Sequence, residues 1–546
     1  MSITRREVLT AFLGAPLALA ACKTKKRVPD GELAFEPDRL GHRVRDEKPP
    51  VIPADKWERA GIVIVGAGIA GLSAARRLLA RGYDDFVILE LDTAAGGTAR
   101  SGSNGTSAYP WGAHYITAPM KENGDLLALL RELDLVEGAD DAGEPTFREE
   151  VLCREPQERI FAGGQWHEGL YLHDGESEDD KEQFARFKTT IERYATLKDG
   201  RGRRAFAVPT SRGSDDAQLT ALDNTSIAEW MAREKLTSER LTWLVDYACR
   251  DDFGARAAHT SAWAGIHYYA SRLVAAGREP QAVLTWPAGN GWLVTKLQEK
   301  LRQKLRLGLA VADVAPVAPA AGGGKAGVDV VALGTAPRAV GIHAERVIFA
   351  APQFVARAVV RPYRDAPPSH LAAFQYGAWM VANLTLSARP KDGKRGHGHM
   401  MAWDNVLRDS PSLGYVVATH QTGRDHGPTV LTYYHPLCDE DPRAARRRLY
   451  AAGRDEWADV ALTDLERAHP DIREVTTRVD VVRWGHAMVR PAPGFVFGGA
   501  RAAAAQPVQG IHFAHTDLSG VALFEEAFHH GIRAADEALA AVRQAP

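Results

Sequence analysis

Three glycines and a glutamate have the spacing of a turn that binds a dinucleotide. Gly66, Gly68 and Gly71 follow an apolar run that ends at Val65, and Glu90 closes the next apolar run. In this pattern the first glycine permits a tight turn, the second lets the backbone approach a pyrophosphate, and the third lets a helix pack closely on a sheet. The N-terminus of that helix presents unpaired N–H groups to phosphates, and an acid placed like Glu90 can bind a ribose. A glycine-rich turn alone is weak evidence, but here the strand, the helix and the acid all indicate dinucleotide binding.

Residues further along the chain indicate which dinucleotide. A Gly-Gly pair, Gly96 and Gly97, stands six residues after Glu90. This spacing resembles the flavin amine oxidase superfamily, which also includes protoporphyrinogen oxidases and carotenoid-type desaturases. The resemblance implies FAD as the cofactor and hydride transfer as the chemistry. Three later segments resemble that family's Pro-x-Gly-Gly turn, its returning strand and its closing strand and helix: residues 286–293, 346–352 and 510–535.

The resemblance also implies which residues surround the FAD. The catalytic residue stays unassigned, and the candidates beside the expected flavin are His114, Trp484 and His486, of which the histidines could accept a proton. For each histidine taken alone, the favoured alternative is a hydrogen-bonded packing residue, and Trp484 is expected to be a cavity wall in either case. The predicted cofactor-binding residues are Gly66, Gly68, Ile69, Ala70, Gly71, Glu90, Gly96, Gly97, Thr98, Gly112, Ala113, His114, Val311 and Asp517.

Three positions depart from the family pattern. Family members often carry an arginine directly after the Gly-Gly pair, where Thr98 stands, and the nearest arginine is Arg100, so the pyrophosphate contact is expected to be rearranged. The subgroup with covalent flavin has a cysteine where Ala487 stands, so we expect the FAD to be held non-covalently. Val381 stands where many amine oxidases place a lysine beside the flavin. Without that cation, a quinone or a small redox protein is expected to accept the electrons in preference to dioxygen.

Three functions remain open at this stage. The first hypothesis is hydride removal from an amine or another small organic substrate. The second is a desaturase-like or protoporphyrinogen-oxidase-like dehydrogenation of a C–C bond, and the third is a non-catalytic flavin-binding partner protein. The 67 basic residues balance the 69 acidic residues, which argues against a surface for nucleic acid. No metal site is predicted, because His397 and His399 lack carboxylate support.

Hydrophobic periodicity predicts an α/β chain in which two domains are interleaved. A Rossmann-like FAD-binding domain is expected to alternate along the chain with an α+β substrate-binding domain that caps the flavin. A signal segment and a flexible tether, rich in proline and charge, precede both. The predicted ranges are 1–22 for the signal, 23–57 for the tether, 58–130, 285–355 and 480–546 for the FAD-binding domain, and 131–284 and 356–479 for the substrate domain.

The N-terminus has the pattern of an export signal. Arg5 and Arg6 resemble a twin-arginine signal, and residues 11–21 form an apolar run too short to cross a bilayer as a stable helix. The run is followed by a lipobox-like sequence that ends at Cys22. We therefore expect export across a bacterial inner membrane and anchoring through a lipid on Cys22, with the body in the periplasm or at the cell surface. A Sec-type signal with a chance arginine pair and an uncleaved anchor are the alternatives.

Overall fold

Two β-sheets form the framework of the molecule, and helices cover their faces. This computed structural model describes residues 28–35, 37–318, 326–334, 339–393 and 400–543. Parallel strands form the centre of the first sheet, and the second sheet is mixed. This arrangement confirms the predicted α/β fold class.

The first sheet contains the predicted dinucleotide-binding unit. Strand β1 (Trp57–Val65) lies between β2 (Phe86–Leu89) and β14 (Ala339–Phe349) and is parallel to both. Residues 61–65 of β1 are buried, as expected for a central parallel strand covered on both faces, and this explains the unbroken apolar run. The sheet is completed by β11 (Leu305–Arg306), β12 (Ala310–Val317), β13 (Gly327–Leu333) and β20 (Ile511–Phe513). The strand order is β11, β2, β1, β14, β13, β12, with β20 also paired to β14.

Two helices from opposite ends of the chain pack against each other beside this sheet. Helix α2 (Ile69–Ala80) follows the glycine-rich turn, and α16 (Phe524–Arg543) is the last described helix. Their close approach depends on Gly531, because a Cβ there would collide with the Ser73 side chain and the carbonyl of Ala70. The other helices of this half are α1 (Pro37–Asp46), α3 (Gly124–Glu132), α9 (Gly291–Glu299), α10 (Gln353–Val359), α11 (Arg361–Asp365) and α15 (Ala500–Ala504).

The second sheet is antiparallel except for one parallel pair. It consists of β8 (Glu158–Ala162), β9 (Gln165–Glu168), β15 (Tyr376–Leu386), β16 (Asp404–Leu407), β17 (Gly414–Val417), β18 (Thr429–Pro436) and β19 (Thr476–Val489). Their order is β19, β15, β18, β17, β16, β8, β9, and β8 and β16 are the parallel pair.

The remaining elements surround the second sheet or link the two halves. The helices are α4 (Glu178–Thr196), α5 (Ala217–Thr220), α6 (Ile227–Arg233), α7 (Glu239–Phe253), α8 (Ala262–Ala270), α12 (Pro442–Ala451), α13 (Arg454–Leu465) and α14 (Ile472–Val475). The short strand pairs are β3 (Ser101–Ser103) with β4 (Ala108–Pro110), β5 (Tyr115–Thr117) with β10 (Val283–Thr285), and β6 (Val136–Ala139) with β7 (Pro145–Phe147).

The structure differs from the predicted domain borders in two places. Residues 480–489, assigned to the FAD-binding domain, lie in β19 of the second sheet, where Val481 and Val482 pair with β15. Residues 356–365, assigned to the substrate domain, lie in α10 and α11, which contact β12 of the first sheet. The sequence of an apolar strand or a short helix does not indicate which sheet the element joins. Hydrophobic periodicity therefore could not predict these two domain borders.

The segment predicted as a flexible tether also differs, because residues 28–35 and 37–46 are docked on the body. Asp30 and Leu33 form bridges with Arg478 and Val481 on β19, and α1 contacts β12. Composition was a poor guide here because a few apolar side chains are enough to anchor a charged segment. The predicted signal in residues 1–22 and the histidines at 397 and 399 lie outside the described residues. None of the described helices combines the length and apolar composition needed to cross a bilayer.

Candidate cofactor and substrate site

The glycine-rich turn has the geometry that a pyrophosphate needs. Gly66 has φ +99°, and a Cβ there would lie 2.9 Å from the carbonyl oxygen of Ala350. Gly71 faces the backbone of Gly66 so closely that any side chain would collide with it. Gly68 is different, because a Cβ there would have no heavy atom within 4 Å. Beside Gly68 there is thus open space at the start of α2, where orphan N–H groups favour an anion.

The ribose acid is fixed beside this turn. One carboxylate oxygen of Glu90 accepts from the Ala67 N–H at 2.7 Å, and the other accepts from the Asp92 N–H at 2.9 Å. Burial raises the pKa of Glu90, while these two backbone hydrogen bonds act in the opposite direction. The carboxylate therefore connects the ends of β1 and β2 and keeps free lone pairs for a ribose hydroxyl.

The Gly-Gly pair and the segment expected to pass the flavin come together with the turn. Gly96 pairs with Gly68 in a parallel bridge, and a Cβ on Gly97 would lie 3.5 Å from the Cα of Gly68. The Thr98 carbonyl accepts from the N–H of Ala113 at 2.9 Å. The structure thus brings residues 66–71, 96–98 and 112–114 to one place. Together they form an open cradle that fits the pyrophosphate and the neighbouring groups of an FAD.

Arg100 takes no part in that open cradle. Its guanidinium forms an ion pair with Asp92 and lies over the ring of Phe35, with 3.7 Å between guanidinium carbon and ring centroid. Only 5% of its side chain is exposed. The arginine that follows the Gly-Gly pair thus holds the loop around Asp92 in place.

The last two predicted cofactor residues lie at the edges of the same region. Val311 is buried on β12, close to the end of β2, where the Leu309 N–H donates to the Glu90 carbonyl at 2.8 Å. Asp517 is fully buried and accepts from the Gln353 N–H at 2.7 Å and the Tyr376 hydroxyl at 2.6 Å. Burial opposes ionisation of Asp517, but the nearby His515 and the hydrogen bonds outweigh it and lower its pKa. Val311 and Asp517 are thus held by contacts within the protein. The open space described above lies at Gly68.

The three candidate catalytic residues occupy different environments. His114 stacks on Tyr434 with 4.8 Å between ring centroids, and burial lowers its pKa to about 4. His486 stacks on Phe354 at 3.9 Å, and burial lowers its pKa to about 3. Trp484 donates from its Nε1 to the Trp111 carbonyl at 2.7 Å. Both histidines are therefore neutral at neutral pH, and Trp484 holds the backbone that leads into Gly112.

A group of carboxylates that the sequence analysis did not single out lies near Tyr434, which stacks on His114. We call Glu158, Asp251 and Asp404 the carboxylate cluster. Glu158 and Asp404 are direct partners on the parallel strands β8 and β16, so their side chains emerge side by side. The Tyr247 hydroxyl donates to Asp404 at 3.2 Å, and Asp251 follows Tyr247 by one turn of α7. The cluster therefore gathers three acids from distant parts of the chain.

The environment of the cluster disfavours negative charge. Burial raises the pKa of Glu158 to about 7, with Glu155 adding to the shift. Burial and the adjacent Asp252 raise the pKa of Asp251 to about 7, and burial with Glu158 and Asp251 raises that of Asp404 well above its usual range. Glu158 nevertheless keeps exposed surface, so a ligand can reach its side chain. The nearby Arg272 is bound by Asp252 at 2.8 Å, which leaves its charge neutralised.

Aromatic rings connect this cluster to the expected flavin segment. Trp403, the residue before Asp404, has its ring centroid 5.3 Å from that of His114. The Tyr434 hydroxyl donates to the Gly112 carbonyl at 2.8 Å. On the other side, Tyr115 donates to Asp252 at 3.4 Å. No spacing rule marks these residues, because they lie on separate segments of the chain.

A cavity continues beyond the Asp252–Arg272 pair. Its lining includes Tyr268, Leu523 and Glu525 besides that pair. Glu525 is 5% exposed, and burial raises the pKa of its carboxyl to about 7. The cavity is therefore lined by acidic and aromatic side chains together with Arg204 and Arg272.

Solved structures with the same fold include two amine oxidases. Wild-type putrescine oxidase bound to putrescine aligns with a TM-score of 0.64 and 17% identity over 88% of this chain and 99% of that chain. Cyclohexylamine oxidase from Brevibacterium oxydans IH-35A aligns with a TM-score of 0.59 and 17% identity over 89% and 98%. A CLA-producing fatty acid isomerase from P. acnes aligns with a TM-score of 0.60 and 14% identity over 89% and 99%. At these identities the likeness shows the fold, and the isomerase shows that the fold serves more than one reaction.

A match to a protein-family model shows which family the chain belongs to. The model described as flavin containing amine oxidoreductase matches residues 69–539, which is most of the chain. The match includes nearly all of the predicted cofactor segments, from the start of α2 into α16. The resemblance drawn from the sequence is thereby confirmed, and the chain belongs to the flavin-containing amine oxidoreductase family of FAD-dependent enzymes.

Proposed function

We propose that this enzyme oxidises a cationic amine and that its FAD is bound without a covalent link. The observation that carries the proposal is the carboxylate cluster near the Tyr434 ring, which stacks on His114. Three carboxylates that are held close together and lose hydration repel one another, so a bound ammonium group would stabilise their ionised form. Trp403 and Tyr434 link the cluster to His114 and Gly112, and their rings would offer cation–π contacts to the substrate.

The role of the protein is to bind and orient the amine. The bound cofactor would supply the hydride acceptor for the carbon next to the nitrogen. The carboxylate cluster would hold the positive charge, and the rings would restrict the position of the carbon chain. Since His114 and His486 are neutral at neutral pH, neither adds a positive charge that would repel the substrate.

The contacts in the open cradle support the mode of cofactor binding. The space at Gly68, the Gly96–Gly97 pair and the fixed Glu90 suit a pyrophosphate and a ribose. Ala487 has no thiol with which to form a thioether to the flavin, so we propose that the FAD is released intact when the protein unfolds.

We also propose an electron acceptor other than dioxygen, such as a quinone or a small redox protein. Val381 is buried in β15 between Tyr434 on β18 and Val482 on β19. An apolar side chain cannot stabilise the negative charge that develops as dioxygen takes the first electron. The low pKa values of His114 and His486 mean that these histidines do not replace the missing cation.

For its location we propose export of the folded protein and a lipid anchor on Cys22. The support is the sequence pattern at Arg5, Arg6 and Cys22. Changing both arginines to lysine should keep the FAD-loaded protein in the cytoplasm, and Cys22→Ser should release it from membranes or block processing. Normal export of the double-lysine variant would contradict the twin-arginine route.

The substrate proposal is tested by anaerobic mixing of the FAD-loaded protein with panels of monoamines, diamines, amino acids and apolar polycyclic compounds. Amines should bleach the flavin absorbance, and those with a second positive charge should do so at the lowest concentrations. Reduction by apolar compounds alone would replace the proposal with C–C dehydrogenation, for which the carboxylate cluster offers no binding role. Failure of every panel would favour a non-catalytic flavin-binding protein.

A further inference from the structure

The docked N-terminal segment reaches both halves of the molecule. We call residues 28–35 and 37–46 the strap. Its first part follows β19, where the Val481 N–H donates to the Glu32 carbonyl at 2.9 Å. Its second part is α1, which contacts β12 and α10 of the first sheet's half. The strap therefore crosses from one sheet to the other, and Phe35 lies at the crossing.

Phe35 has a backbone conformation that a bulky residue rarely adopts. Its φ is +58°, in the left-handed region. Such a conformation persists only where the surroundings enforce it. The ring meets Trp111 edge to face, with 5.2 Å between centroids, and the guanidinium of Arg100 lies 3.7 Å from the ring centroid on its face. These two contacts hold the strained residue in place.

Both contact residues belong to segments that form the open cradle. Arg100 comes two residues after Thr98, and its guanidinium pairs with Asp92, whose N–H donates to Glu90. Trp111 directly precedes Gly112, and its N–H donates to the Arg100 carbonyl at 3.0 Å. Phe35 thus contacts Arg100, which follows the Gly-Gly loop and pairs with the neighbour of the ribose acid, and Trp111, which precedes the flavin segment.

We propose that Phe35 is a positioning residue for the FAD and that the strap secures the loops that enclose it. The ring fixes Arg100, Arg100 fixes Asp92, and Asp92 fixes Glu90 in the orientation that meets the ribose. The ring also holds Trp111 against the second loop. The inference depends on the FAD of the family and is independent of the proposed substrate.

The test measures FAD binding without any substrate. Apo-protein of the wild type and of Phe35→Ala is titrated with FAD, and the rate of FAD release is followed by the recovery of flavin fluorescence. Phe35→Ala should raise the dissociation constant at least tenfold and speed the release. Phe35→Tyr keeps the ring and should bind as the wild type does. Val51→Ala is the matched control, because Val51 follows the strap and is 94% exposed.

A second variant separates the stacking from a general loss of packing. Arg100→Lys keeps the charge beside Asp92 but loses the planar group that lies on Phe35. Arg100→Lys alone should weaken FAD binding. In the double variant with Phe35→Ala, the loss of FAD binding free energy should be smaller than the sum of the losses in the two single variants. Unchanged FAD binding in Phe35→Ala, equal loss in Phe35→Tyr, or full additivity with Arg100→Lys would each overturn the proposal. If Phe35→Ala fails to fold, the comparison of Phe35→Tyr and Arg100→Lys with the wild type decides.

Discussion

The cofactor half and the substrate half of this enzyme are built on different principles. The cradle for the FAD is made of backbone, with glycines wherever the chain must turn or leave space, and its central residues lie within about fifty positions of one another. The proposed substrate side is made of carboxylates from β8, α7 and β16 and of the rings of Trp403 and Tyr434. A backbone site can be recognised from local spacing, whereas a side-chain site exists only after distant elements have assembled. Mutations should therefore act differently on the two halves.

The largest effect is expected in the cofactor half, from Gly68→Val. The valine side chain would enter the open space beside α2 and occupy the place of the pyrophosphate. The purified variant should contain no FAD, while the wild type should be yellow and release FAD, not FMN or NAD, on denaturation by heat or acid. Gly105→Val is the control, because its Cβ also meets no atom within 4 Å but lies away from the cradle. A fully flavinylated Gly68→Val protein would contradict the assignment.

The next effect concerns Val381, which stands where the family resemblance implies a lysine beside the flavin. A cation there would help electron transfer to dioxygen by about 3 kcal/mol, on the order of a hundredfold in rate. The substrate-reduced enzyme should therefore reoxidise slowly in air-saturated buffer and much faster with a soluble quinone. Stopped-flow recovery of the oxidised flavin spectrum measures both rates. Rapid reoxidation by air would contradict this prediction and would show that the enzyme is an oxidase.

In the substrate half we expect smaller, graded effects. Glu158→Gln and Asp404→Asn should each weaken binding of a diamine about tenfold, because each removes about 1.4 kcal/mol of attraction to a cation. FAD content should be unchanged in both. Glu168→Gln, an exposed acid on the same β-hairpin as Glu158, is the control. Equal affinity for the diamine in wild type and Asp404→Asn would rule out the cluster as the cation site.

The smallest effect is a pH dependence that only the substrate half should show. The pKa values of Glu158 and Asp251 are raised to about 7, so both carboxyls are largely neutral below that pH and ionised above it. Binding of a cationic amine should therefore strengthen as the pH rises through about 7 and should release protons below it. Calorimetry in buffers of different ionisation enthalpy measures the protons released. Glu158→Gln should flatten the profile, and a profile that is already flat in the wild type would contradict the proposal.

The difference between a site built from backbone and a site built from distant side chains also explains what could be predicted from the sequence. The family, the α/β fold and the position of the glycine-rich turn follow from local spacing, and the structure and the family match confirm them. The individual cofactor contacts, including Val311 and Asp517, stay predictions. The role of residues 480–489 in β19 could not be predicted, because pairing with β15 is decided by residues about a hundred positions away. The carboxylate cluster had no spacing signal, since its three acids lie on separate segments of the chain. Glu158 meets Asp404 only through the register of β8 with β16, and Asp251 comes from α7.

The contact between α2 and α16 also has a consequence for the order of events during synthesis. The helix that starts at the glycine-rich turn is made early, but the face that meets Gly531 is covered only by the helix made last. Asp517, too, lies beyond residue 500, and β20 joins the first sheet only near the end of the chain. A nascent chain on the ribosome thus has the turn without the walls around it. We therefore expect stable loading of FAD only after α16 has been synthesised.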